Sequence, residues 1–256
     1  MVSSCGHDEN GRYRGGKAGD QTGTEYYLRS FYRPSYGWDC VLRHPDIKVG
    51  KKIAEIATQA AKNSKIGYDQ NERLTYYNQL KLSGWHPERI TSACESDCSA
   101  STAAAVIAAG HQLGLTRLQQ VNPSNTTWTL KQALIAVGFE CMTESKYLTS
   151  DAYLIPGDIV LAEAHHVIIN ISTGSKVTTV NGNGRGDAVR QYAGIVKVSS
   201  YLNVRLGPGT RFGTVKLGGQ EMRLPPNMVV SVDKETEGWG RLTGTGYWVS
   251  LQYIQK

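Results

Sequence analysis

The run Asp97-Cys98-Ser99-Ala100-Ser101-Thr102-Ala103-Ala104-Ala105-Val106-Ile107-Ala108-Ala109 constrains this chain more than any other stretch. Small, helix-favouring residues follow an aspartate of the type that caps a helix, so the pattern predicts a helix with Cys98 in its first turn. Unpaired backbone N–H groups and the helix dipole favour negative charge there, so the thiol's pKa is expected to fall. Alone, a cysteine among alanines is more often a small core residue than a nucleophile. Two further elements change that reading. Pro156-Gly157-Asp158 leads into the apolar Ile159-Val160-Leu161, a turn and then a strand, and His166-Val167-Ile168-Ile169 carries a histidine on the next strand. A thiol on a helix followed by an imidazole on a sheet supplies a nucleophile and a base.

Composition narrows the classes. At 256 residues there is room for one medium domain and a small one. No segment holds the roughly 20 apolar residues that span a bilayer, so membrane insertion is not expected. Met1-Val2-Ser3-Ser4-Cys5-Gly6-His7-Asp8 lacks the basic and apolar regions of a secretory signal. The expectation is synthesis in the cytoplasm, with any extracellular target reached only after release. The 5 cysteines are odd in number and scattered, which argues against a disulfide framework. Cys94 and Cys98 have no second Cys or His pair at zinc-ligand spacing, so neither a metal nor a cofactor is expected. Lys and Arg number 28 against 22 Asp and Glu, a net charge of +6, which suits polyanions. No basic run or aromatic RNA-binding signature points to nucleic acid.

Residues 1–45 show no sustained period and read as irregular structure packed on a core. An apolar stripe of Ile53, Ile56, Ala57, Ala60 and Ala61 predicts a helix over about 47–62. A short helix is expected around 73–80, and another over 129–137, closed by Gly138. From Tyr153 the period becomes two, predicting strands at 159–161, 166–171 and 176–180. If Thr173-Gly174 centres a tight hairpin turn, His166 and Asn181 become cross-strand neighbours, with beta carbons roughly 5 Å apart. Asn181 would then orient the imidazole, with Thr179 or Asn183 taking its place in a shifted register. A boundary is expected near Val196–Ser200, dividing a first domain (1–196, with an irregular extension over 1–45) from a second (200–256). The second reads as short strands with large anchors at Trp239, Tyr247, Trp248 and Tyr253, a small barrel. The fold class is α+β followed by a small all-β unit.

Asp97-Cys98-Ser99 at a helix start, then Pro-Gly-Asp and a strand, then His-Val, resembles the NlpC-type cysteine peptidases of bacterial cell walls, over residues 46–185. The resemblance implies a papain-like domain, with helices packed on a small antiparallel sheet. It implies Cys98 as nucleophile, His166 as base and Asn181 as the polar third residue. Tyr68 stands where that family often has a tyrosine that polarises the substrate carbonyl, although the Trp-Gly-Gly that follows it there is absent here. Gly19-Asp20-Gln21-Thr22-Gly23, with Trp38 and Val41-Leu42-Arg43, is similar to bacteriophage and prophage endolysins. Asp20, Gln21, Ser99 and His165 are its further candidate substrate contacts. Strand alternation sends only one of His165 and His166 to the catalytic face. Leu202-Asn203-Val204-Arg205 and Gly207-Pro208-Gly209-Thr210 look like a bacterial SH3-like wall-binding domain. Together these resemblances imply a peptidoglycan hydrolase that cuts a stem-peptide amide, commonly γ-D-glutamyl to diamino acid, and is released through a holin-made lesion. The alternatives are an N-acetylmuramoyl-L-alanine amidase of the CHAP type and an inert wall-binding protein. Peptidoglycan, with anionic wall polymers, is the implied partner.

Overall fold

The computed structural model describes residues 1–177, 192–217, 219–243 and 245–256. The chain divides into two units, Met1–Thr178 and Thr179–Lys256. The first is α+β. Its elements are β1 (Val2–Cys5), β2 (Tyr26–Arg29), β3 (Cys40–Arg43), α1 (Ile47–Ala60), β4 (Ile66–Tyr68), α2 (Thr75–Leu82), β5 (Cys94–Ser96) and α3 (Cys98–Leu113). There follow α4 (Thr116–Gln119), α5 (Leu130–Ala136), β6 (Glu140–Met142), α6 (Ser145–Leu148), β7 (Ile159–Ala162) and β8 (His166–Asn170). A six-stranded antiparallel sheet runs in the order β2-β1-β8-β7-β3-β6, and β4 and β5 form a separate parallel pair.

Both faces of the larger sheet are covered. Ile159, Leu161, Val167 and Ile169 point into a core shared with α1 and α3. Their alternates Val160, Ala162 and Ile168 pack with Val2, Trp38, Val41 and Leu154 on the other side. That is why β7 and β8 read as unbroken apolar runs, although antiparallel strands often alternate. Helix α3 is buried from Cys98 through Gly110. Its alanines let α1, α2, α4 and β8 approach the helix closely. Gly114, in the left-handed conformation, closes it.

Pro156-Gly157-Asp158 proves to be a packing device. A Cβ on Gly157 would collide with the backbone of Gly50 in α1, and Gly157 has a φ of +88°. Asp158 is fully buried, accepting from the Arg43 guanidinium and from the Ile155 N–H.

The N-terminal stretch departs from its expected irregularity, since β1, β2 and β3 all belong to the sheet. Strand β1 pairs with β2 over Val2–Cys5 and with β8 at Val2–Asn170 and Ser3–Ile169. This overturns the expected hairpin. The expected register would pair Asn170 with Val177, but that edge of Asn170 is taken by Val2 of β1, and β7 lies along the other edge of β8. Gly174 and Lys176 instead donate their N–H groups to Leu154 and Ala152. Asn181, Thr179 and Asn183 lie outside the described residues.

The second unit is all β where described. Its strands are β9 (Tyr192–Val196), β10 (Leu202–Asn203), β11 (Lys216–Leu217), β12 (Gln220–Glu221), β13 (Arg223–Leu224), β14 (Val229–Thr236), β15 (Trp239–Leu242), β16 (Trp248–Ser250) and β17 (Ile254–Gln255). Five of them form a sheet ordered β16-β15-β14-β9-β17. Strand β9 lies inside that sheet, so the second unit begins before the expected boundary at Val196–Ser200. Its core gathers Val196, Leu202, Val204, Val230, Leu242 and Val249.

The Gly50–Gly157 contact is backbone on backbone and cannot be relieved by a rotamer change. Gly157→Ala should cost roughly 2 kcal/mol or more in urea unfolding of the full chain. A loss below about 0.5 kcal/mol would show that the turn yields.

Candidate active site

Cys98 is the first residue of α3, and Asp97 caps the helix by accepting the Ala100 N–H. The cap is itself held. Asp97 Oδ1 accepts from Ser99 Oγ at 2.9 Å and from Arg73 Nη2 at 3.1 Å, while Arg73 Nε lies 2.6 Å from Oδ2. Arg73 also donates to the Asn125 carbonyl, fixing the guanidinium on two sides. The Ser99 hydroxyl is thus spent on the cap. Nothing in the sequence spacing pairs Arg73 with Asp97, so this anchor was invisible before the fold.

Cys98 Sγ accepts the backbone N–H of Val167, the residue that follows His166. This link brings the start of α3 to the start of β8. Cys98 is only 8% exposed. Burial, reinforced by the neighbouring Asp97 carboxylate, pushes its thiol up to about 12, against the Val167 and Ser99 amides and Arg73. The expected fall is therefore reversed. His166 is held down to about 4, first by burial and then by the Arg29 guanidinium, with Asp97 opposing. Both groups are neutral near pH 7.

Aromatic residues gather around the thiol. Tyr68 on β4 is buried, and its phenol is raised by burial and then by Cys98. Gln70 Nε2 donates to that phenol at 3.2 Å, and Tyr13 packs 6.5 Å away, centroid to centroid. Tyr36, exposed and also raised by burial and by Cys98, stacks on His165 at 4.5 Å. His165 is exposed at the turn before β8, while His166 is half-buried beside Trp38, whose ring centroid lies 6.2 Å away.

The loop residues fall into local roles. Asp20 Oδ1 accepts the Thr22 and Gly23 N–H groups, and Gln21 Nε2 donates to the Ala18 and Gly19 carbonyls. Their side chains hold the loop together, and its Gly19 backbone closes on Gly67 of β4. Cys94 is buried on β5 with its thiol on the Lys65 carbonyl. Tyr36 and Ser4, which sequence reasoning missed, carry no motif; only the fold brings them to the site. Among the described residues no group of three or more His, Cys, Asp or Glu is placed to hold a metal ion.

Reactivity separates the thiols. Cys141 is exposed, and its pKa is lowered by a hydrogen bond from Cys40. Limiting iodoacetamide at pH 7.5 should therefore label Cys141 well before Cys98, as read by peptide mass spectrometry. Preferential labelling of Cys98 would mean that it is a thiolate at rest.

The model of the endolysin-like domain matches residues 2–177, a span that holds the six-stranded sheet, α3 and the whole tyrosine-lined site. No curated protein and no solved structure matches the chain. The match suggests a peptidoglycan-lytic role, that of a cell-wall hydrolase. Because it begins in β1 and covers most of the sequence, the chain belongs to the endolysin-like domain family.

Proposed function

We propose that the chain is a cysteine hydrolase of peptidoglycan, cutting an amide of the stem peptide, with Cys98 as nucleophile and His166 as base. The observation that carries this reading is the Cys98 thiol on the Val167 N–H, at the root of the His166 side chain. Since both groups rest neutral, His166 takes the Cys98 proton as sulfur attacks the carbonyl carbon. The Cys98 N–H, at a helical position with no intrahelical acceptor, is the donor for the developing oxyanion. When the tetrahedral intermediate collapses, the C–N bond breaks and His166 passes its proton to the leaving amine. Water then hydrolyses the thioester and restores the thiol. Tyr68 serves near the carbonyl, while His165 and Tyr36 offer an exposed stacked surface to substrate.

The γ-D-glutamyl bond to a diamino acid is the proposed cleavage point. The second unit is proposed as an SH3-like wall binder. It carries an open groove of about 1060 Å³ whose lining includes Tyr201, Arg205, Trp239 and Tyr253. The chain's net charge of +6 suits anionic wall polymers. Action at the wall would follow release from the cell that made the protein.

Clearing of purified sacculi should be abolished in Cys98→Ala and His166→Ala, with both variants retaining the native far-UV spectrum. Lysis by Cys98→Ala would overturn the mechanism. Mass spectrometry of the digest locates the bond: freed diamino-acid amines support the endopeptidase, and new L-Ala amino termini assign an amidase. A base that charges only near pH 4 places the acid limb of the specific rate there, activity falling as pH drops through that value. An acid limb near pH 6.5 would instead imply a solvated imidazole.

A further inference from the structure

His166 meets a second hydroxyl-bearing element that neither the family match nor the sequence motifs bring into the site. Ser4 Oγ lies 3.4 Å from His166 Nε2. That is long for a hydrogen bond, as catalytic contacts often are before substrate tightens them. Ser4 is 3% exposed and sits on β1, whose backbone is fixed by β2 on one side and β8 on the other. Alternation along β1 turns Ser3 the opposite way, where its hydroxyl donates to the Ala57 carbonyl of α1. Of the two serines, Ser4 shares the His166 face. There Trp38 covers the imidazole, and the Trp38 Nε1–H donates to the Tyr32 carbonyl at 2.8 Å.

We infer that Ser4 is the positioning residue of His166: its hydroxyl accepts the imidazole Nε2–H and so leaves Nδ1 as the nitrogen that takes the Cys98 proton. This deepens the cysteine-hydrolase reading proposed above and rests on it for its catalytic consequence. A serine hydroxyl has one proton to give. The Tyr32 phenol, kept protonated by burial, also hydrogen-bonds Ser4. For His166 to take the Cys98 proton on Nδ1, Nε2 must carry the ring proton, and Ser4 Oγ is the acceptor that lies beside it. An Nε2–H engaged by the buried, strand-held Ser4 keeps the ring in that tautomer. Arg29, its guanidinium 4.1 Å from the Tyr32 ring centroid, adds positive charge that disfavours a resting imidazolium.

The test is the nitrogen-15 spectrum of the His166 ring in the full-length protein near pH 7, without substrate. The wild type should show a protonated Nε2 and an unprotonated Nδ1. In Ser4→Ala that preference should collapse towards a mixture. The maximal rate of sacculus clearing should fall roughly tenfold, with half-saturation unchanged, as expected for one neutral hydrogen bond. Ser4→Thr, which keeps the hydroxyl, should restore both readouts. Ser3→Ala, which removes a hydroxyl from the opposite face of the same strand, should leave the ring spectrum as in wild type. A wild-type ring protonated on Nδ1, or a Ser4→Ala spectrum identical to wild type, overturns the proposal. Lysis by Cys98→Ala would instead overturn the hydrolase reading, and the ring spectrum would still decide the role of Ser4.

Discussion

The buried N-terminus of α3 is the constraint around which the first unit is arranged. A helix start leaves N–H donors without intrahelical partners, and inside a core those donors must be answered by protein. Asp97 answers the Ala100 N–H, Arg73 answers the charge of Asp97, and Ser99 and the Asn125 carbonyl complete the network. Satisfying the cap this way fixes the first turn of α3 against β8 with little freedom. Cys98 is carried into a defined position as a by-product of good capping.

The same burial decides the chemistry of the thiol. A helix start favours negative charge by roughly 0.3–1 kcal/mol, less than one pKa unit at about 1.4 kcal/mol per unit. Desolvation works the other way and is larger, leaving Cys98 at about 12 and His166 at about 4. A resting ion pair would need solvent or counter-charges that this pocket does not provide. For the proposed cysteine mechanism, such an environment favours proton transfer concerted with attack. The sequence could not show this, because the spacing of residues places the thiol on the helix without saying how deeply the helix is sunk.

Much of the local structure was legible. The apolar stripe expected over 47–62 is α1 at Ile47–Ala60, and the strands expected at 159–161 and 166–171 are β7 and β8. The partner of β8 was not legible. Sequence reasoning paired it with the next strand along, since sequential strands usually neighbour one another. The edge went instead to Val2–Cys5, more than 160 residues earlier in the chain. Nothing periodic in Val-Ser-Ser-Cys announces a strand, because its two faces are answered differently. Ser3 is satisfied by a helix carbonyl, Ser4 by an imidazole, and Val2 and Cys5 by the core. Pro156-Gly157-Asp158 was read correctly as a turn before a strand, but its chemistry serves packing. The glycine admits α1, and the aspartate holds Arg43.

Closing the sheet with its own N-terminal strand has a consequence for the site. A side chain delivered by a strand inherits the positional precision of the backbone ladder, whereas one delivered by a loop must be ordered separately at an entropic cost. Strand β1 is held along its length by β2 and anchored at one end to β8. Its pairing with β8 stops at Ser3–Ile169, and two residues further along β8 the Val167 N–H turns to Cys98. The sheet thus opens at the point where the helix start enters it. Ser4 stands one residue beyond the last β1–β8 pair, still held by its pairing with Tyr27 of β2, next to the position where the thiol has replaced a strand. Stability and chemistry meet at that fork. The hydrogen bond the sheet gives up there is the one the thiol receives.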